Sequence, residues 1–152
     1  MAAHLIPLDE YLATSYEPDR EFVDGVLVER NLGTQLHSRS QVVVGSYLSR
    51  YRKSHRIEVF MSVRVGLDAG RYRVPDLLVL EKPYQGGKFV TDVPAVTVEI
   101  KSPDDTFDDI IDKSSSTKLS ASATSSSWTP ITAVPGSSSK TIFVFSPAIP
   151  FR

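Results

Sequence analysis

The chain has 152 residues, 41% hydrophobic and 23% charged, enough for one domain with a sizeable core. Its net charge of −1 gives no general electrostatic case for a nucleic-acid partner, and the absence of cysteine excludes disulfides and a Cys-ligated zinc while fitting a reducing, cytoplasmic setting. No apolar run approaches the roughly 18 residues that span a membrane, and the first residues lack the apolar core of a signal peptide.

Leu8 to Leu12 reads as a short helix, with Pro7 at its start and acidic groups in its first turn. From Glu21 to Glu29, two apolar alternations flank Asp24-Gly25, which tolerate the positive φ of a type I′ turn, so a hairpin is predicted. Thr34 can cap a helix running to about Lys53, with Leu36, Val43, Tyr47, Leu48 and Tyr51 recurring as its apolar face. Arg50, Arg52, Lys53 and Arg56 form a basic cluster that reads as a phosphate contact or as a solvated helix end. Ile57 to Val65 reads as one strand, ending in a turn at Gly66 to Gly70, and Tyr72 to Leu80 as the next. Lys82 to Asp92 is a loop, and Ala95 to Lys101 a further strand. Asp105 or Thr106 would cap a helix from about Phe107.

The composition then breaks. Residues 1–113 hold 14 basic and 18 acidic side chains, whereas 114–152 hold 3 basic residues, no carboxylate and 12 serines. We therefore divide the chain into a core, 1–113, and an atypical Ser-rich tail, 114–152, in which only Thr141 to Phe145 reads as a strand.

Two strands carry carboxylates where a buried strand should have none. Asp76 sits inside the run from Val74 to Leu80, and Glu99 interrupts the run from Ala95 to Ile100. Burying an unpaired carboxylate is costly, so two such strands point to a shared compensator, and a divalent cation is the obvious one. Lys101 lies two residues beyond Glu99 and leaves the same strand face, where an ammonium can contact a phosphate or a nucleophile. The same two residues also read as a same-face ion pair on an exposed strand. His37 and Gln41, four apart on one helix face, can line a site together, although each also reads as an ordinary helix residue. Lys113 reads as a second positive group or as a surface lysine. The Asp residues from Asp104 to Asp112 lack EF-hand spacing and read as capping and surface charge.

Residues 5 to 113 resemble the Uma-two family of restriction endonucleases, a branch of the PD-(D/E)xK superfamily. The resemblance rests on Glu21-Phe-Val-Asp-Gly25, the helix containing His37, Val74-Pro75-Asp76, and Val98-Glu99-Ile-Lys101-Ser-Pro103, in that order and spacing. It implies an α/β (α+β) fold with a restriction-endonuclease-like mixed sheet flanked by helices. It further implies one Mg²⁺-dependent site, with Mn²⁺ able to substitute, that hydrolyses DNA phosphodiesters. By residue, Asp76 and Glu99 would be metal ligands, Glu21 a further ligand, and Lys101 the lysine beside the attacking water. Asp76→Ala is then expected to abolish cleavage and leave the fold intact. A homodimer would suit cutting of both strands. The tail departs from the family after Lys113. A shift of one nucleotide can restore a helix and strand pattern there, so a frameshifted translation is expected. That departure keeps open an alternative function, an inactive nuclease-fold module that binds DNA or protein.

Overall fold

The computed structural model describes residues 5–30, 33–68 and 70–100, and the strand at 142–145. Lys101, Lys113, the helix expected from Phe107 and the rest of the Ser-rich tail lie outside the described residues.

Two helices and eight strands are described. Helix α1 spans Leu8–Ala13 and follows Pro7, which sits in the N-cap position with extended backbone, φ −65° and ψ 150°. Strands β1, Arg20–Val23, and β2, Val26–Glu29, form the predicted hairpin, with Asp24 at φ 49° and Gly25 at φ 89° in its turn. Helix α2 spans Gln35–Ser49, and the Thr34 hydroxyl accepts the backbone N–H of His37 at 3.2 Å. Then come β3, Ile57–Met61; β4, Val65–Asp68; β5, Arg71–Arg73; β6, Leu77–Glu81; β7, Val96–Ile100; and β8, Ile142–Phe145.

These strands form two four-stranded antiparallel sheets, ordered β2-β1-β5-β4 and β3-β6-β7-β8. A parallel bridge joins Val65 to Val90 outside the ladders. The class is α+β, as expected, and the sheet layer comes as two antiparallel sheets rather than one mixed sheet. Strand β8 pairs with β7, so the strand expected near the end of the chain completes the second sheet.

Successive residues of β6 point to opposite faces, and this separates two cores. Leu78 and Leu80 pack with Val65, Leu67 and Val90, against the first sheet. Leu77 packs with Val98 and Ile100, against Val44 and Leu48 of α2. A third cluster, Ile6, Tyr11 and Phe22, seats α1 on the hairpin.

Two predicted strands are each split between the sheets. The run from Ile57 to Val65 breaks at Ser62, whose φ is 49°, and resumes as β4 in the other sheet. Arg64, just past the break, is buried over the Tyr11 ring at 4.5 Å and paired with Asp19. The run from Tyr72 to Leu80 breaks at Val74-Pro75-Asp76. Pro75 has no N–H to give a ladder, so the chain changes sheets there. The two crossings are joined, because Ser62 N–H donates to the Asp76 carbonyl at 3.2 Å.

Helix α2 does not bury the stripe that its apolar periodicity marks. Leu36, Val43 and Tyr47 are 47%, 60% and 49% exposed. The packed face carries Val44 and Gly45 together with Leu48, a member of that stripe. A Cβ on Gly45 would stand 3.2 Å from Leu77 Cδ2 and 3.3 Å from Met61 Sδ, so glycine sets how closely the helix approaches the sheet. One and two turns earlier, that same face carries Gln41 and His37.

Candidate active site

The crossing at residues 74–76 places Asp76 outside either sheet, at the start of β6, and 3% exposed. Glu21 on β1, also 3% exposed, holds the approach to it. One Glu21 oxygen accepts the Val74 backbone N–H at 3.1 Å, and the other accepts Arg73 Nη1 at 2.7 Å. A buried carboxylate is tolerable here because a guanidinium and an amide satisfy it.

Asp76 is held from three elements. Its Oδ2 accepts the buried backbone N–H of Ile100 at 2.7 Å. Strand β6 begins only at Leu77, so the carboxylate takes a β7 donor that the ladder leaves behind. Its Oδ1 faces His37 Nε2 at 3.0 Å, Gln41 Nε2 at 3.3 Å and Arg30 Nη2 at 3.3 Å. An ionised carboxylate only accepts, so the histidine contact requires the proton on Nε2. Gln41 also approaches the Asp76 carbonyl and Ser62 Oγ, each at 3.4 Å. The helix therefore bridges both crossings.

Leu77 pairs with Val98 and Leu78 with Thr97. Glu99 is the neighbour of Ile100, whose backbone N–H the Asp76 carboxylate accepts. Glu99 is half-buried. Among the described residues, no three His, Asp or Glu side chains stand together as a ready-made metal cluster. Mg²⁺ does not require one, because it takes one or two carboxylates and completes its shell with waters and substrate phosphate oxygens.

The profile of the family described as "Putative restriction endonuclease" matches residues 8–116. The chain belongs to the Uma-two family. A solved structure of a putative nuclease of the DUF820 group from Anabaena variabilis superposes with a TM-score of 0.61 at 24% identity, covering 70% of this chain and 64% of that one. That likeness is one of fold. The chain thus spans less than two thirds of that protein's length. No curated protein matches. Among the described residues, no helix of the Uma-two chain is long and apolar enough to cross a membrane.

Of the residues singled out from sequence, Asp76, His37 and Gln41 meet at Asp76 Oδ1, and Glu99 adjoins Ile100, the donor to Oδ2. Glu21 is two residues upstream in contact, on Val74 rather than on Asp76. Two cations of this Uma-two site escaped the sequence reading. Arg73 has a weak signal, a cation at the end of an apolar run, opposite the strand that carries a buried glutamate. Arg30 has none, since nothing in the pattern after β2 aims it at Asp76.

Proposed function

We propose that this Uma-two chain is a metal-dependent endonuclease hydrolysing DNA phosphodiester bonds around Asp76 and Glu99. The observation that carries the reading is the 2.7 Å hydrogen bond from Ile100 N–H to Asp76 Oδ2, which ties the first carboxylate to the strand bearing the second. In this reading Asp76 and Glu99 hold Mg²⁺, or Mn²⁺ in its place. The chemistry that a bound cation supplies is polarisation of the phosphate and a lowered pKa for its water. His37 and Gln41 orient the Asp76 carboxylate. Lys101, two residues beyond Glu99 in the sequence, is the lysine this reading assigns to the attacking water or the scissile phosphate. Lys113 would add a second positive group. Glu21 fixes the turn that carries Asp76, and would have to release Arg73 to act as a further ligand. Cutting of both strands calls for two copies, a homodimer, and a cysteine-free chain suits the cytoplasm.

The test is cleavage of supercoiled plasmid by the full chain in Mg²⁺. The parent should nick it and Asp76→Ala should not; equal nicking by both would remove the assignment.

A second reading is favoured by Arg30. Its guanidinium stands 3.3 Å from Asp76 Oδ1 and already supplies positive charge there. A nuclease-fold module that binds DNA without turnover would keep that ion pair. Calorimetry with Mn²⁺ separates the two, because such a module takes up no stoichiometric metal.

A further inference from the structure

The far end of α2 from Asp76 gathers positive charge from three segments. Arg50, Arg52 and Lys53 follow the last helical turn, Arg56 leads into β3, and Lys82 follows β6. With Ser49 they line a groove of about 600 Å³. Lys82 N–H donates to the Arg56 carbonyl at 2.8 Å, which locks the strand ends that carry the cations.

Glu58 is the carboxylate facing them, accepting Arg52 Nε at 2.5 Å and Lys82 Nζ at 2.9 Å. Those two partners hold its pKa down to about 2. Among the described residues, one carboxylate faces five cations there, a positive excess on a chain whose net charge is −1. A helix C-terminus favours one or two cations through its dipole. That does not explain Arg56 and Lys82, which come from other segments. Arg50 stacks 5.1 Å from the Tyr47 ring centroid, which holds its guanidinium in place. Clustered like charge is unfavourable without a counter-charge, so the groove is built for an anion.

Strand β6 connects the two sites. Leu77 adjoins Asp76 and Glu81 adjoins Lys82, so the groove lies roughly 20 Å from the carboxylate at about 3.3 Å per residue. Along B-DNA that distance covers about six base pairs.

We infer that this groove binds the phosphate backbone of duplex DNA about half a helical turn from the phosphate presented to Asp76. The inference rests on the nuclease reading and deepens it, since it makes the substrate a stiff duplex gripped at two points.

The test uses full chains carrying Asp76→Ala, so that DNA is bound and not cut. Fluorescence anisotropy follows a labelled duplex of about 24 base pairs between roughly 50 and 200 mM salt. Adding Arg50→Gln, Lys53→Gln and Arg56→Gln should weaken binding at least tenfold and reduce the salt slope by about 2 to 3, near 0.9 per lost phosphate contact. Glu58→Gln should tighten binding severalfold, because Arg52 and Lys82 are released to phosphate. That arm needs no cation removed, and so stands if the triple variant folds poorly. Unchanged affinity and slope in the triple variant, or weaker binding in Glu58→Gln, overturns the inference, as does equal affinity for single-stranded DNA. Plasmid nicking by proteins with intact Asp76 reports separately on the nuclease reading, which stands or falls on the Asp76→Ala comparison whatever the groove variants do.

Discussion

Ile100 gives its backbone N–H to Asp76 Oδ2 at 2.7 Å, so one carboxylate serves both as a candidate metal ligand and as the end of a β ladder. The dual role changes what Asp76→Ala should do. Removing the acceptor strands a buried amide, which costs about 1–3 kcal/mol. Urea denaturation should therefore show lower stability alongside lost nicking. The expectation from sequence, lost cleavage with an untouched fold, needs this correction. An unchanged urea midpoint would mean that the hydrogen bond contributes nothing.

Glu21→Gln separates a ligand from a brace. Glutamine can still accept the Val74 N–H, but it leaves Arg73 without its carboxylate in a largely buried position. Losing that charge-assisted pair should lower stability by about 1.5–3 kcal/mol. If Glu21 is chiefly a metal ligand, Mn²⁺ affinity should fall instead with stability nearly constant. Calorimetry and thermal melting on one sample distinguish the outcomes.

Arg30→Gln should tighten Mn²⁺ binding severalfold, since the guanidinium beside Asp76 Oδ1 repels an incoming cation. Loss of nicking in the same variant would indicate that Arg30 also serves the phosphate. Calorimetric titration gives the affinity, and unaltered binding would show that Arg30 does not compete.

Gly45→Val should lower stability by about 1–3 kcal/mol, because added methyls meet Leu77 and Met61 at the helix–sheet contact. The same outward shift carries His37 and Gln41 away from Asp76, so kcat should fall beyond what the folded fraction explains.

Glu58 predicts an acid limb. Its pKa in the folded chain is about 2, below the ordinary 4.5, so its stabilising contribution is complete above about pH 4.5. It is lost as pH falls through about 2. Glu58→Gln should flatten stability against pH over that window, measured by urea midpoints, and leave the neutral-pH slope alone.

Much of this molecule could be read in one dimension. The hairpin turn at Asp24-Gly25, the Thr34 cap and the β7 strand follow from local preferences, which act within a few residues and leave their mark in composition. The carboxylates in Asp76 and Glu99 stood out because buried strands exclude such groups. Tertiary structure decided the rest. Periodicity reports where apolar residues recur, not which face meets a neighbour, and on α2 the packed face is apolar only in its second half because His37 and Gln41 occupy the first. Likewise, the stretch from Tyr72 to Leu80 is compatible with one strand, and only packing against two different sheets shows that it turns at Val74-Pro75-Asp76. Arg30 and Lys82 reach their partners across long stretches of chain, a convergence created by burial and strand pairing and absent from any local pattern.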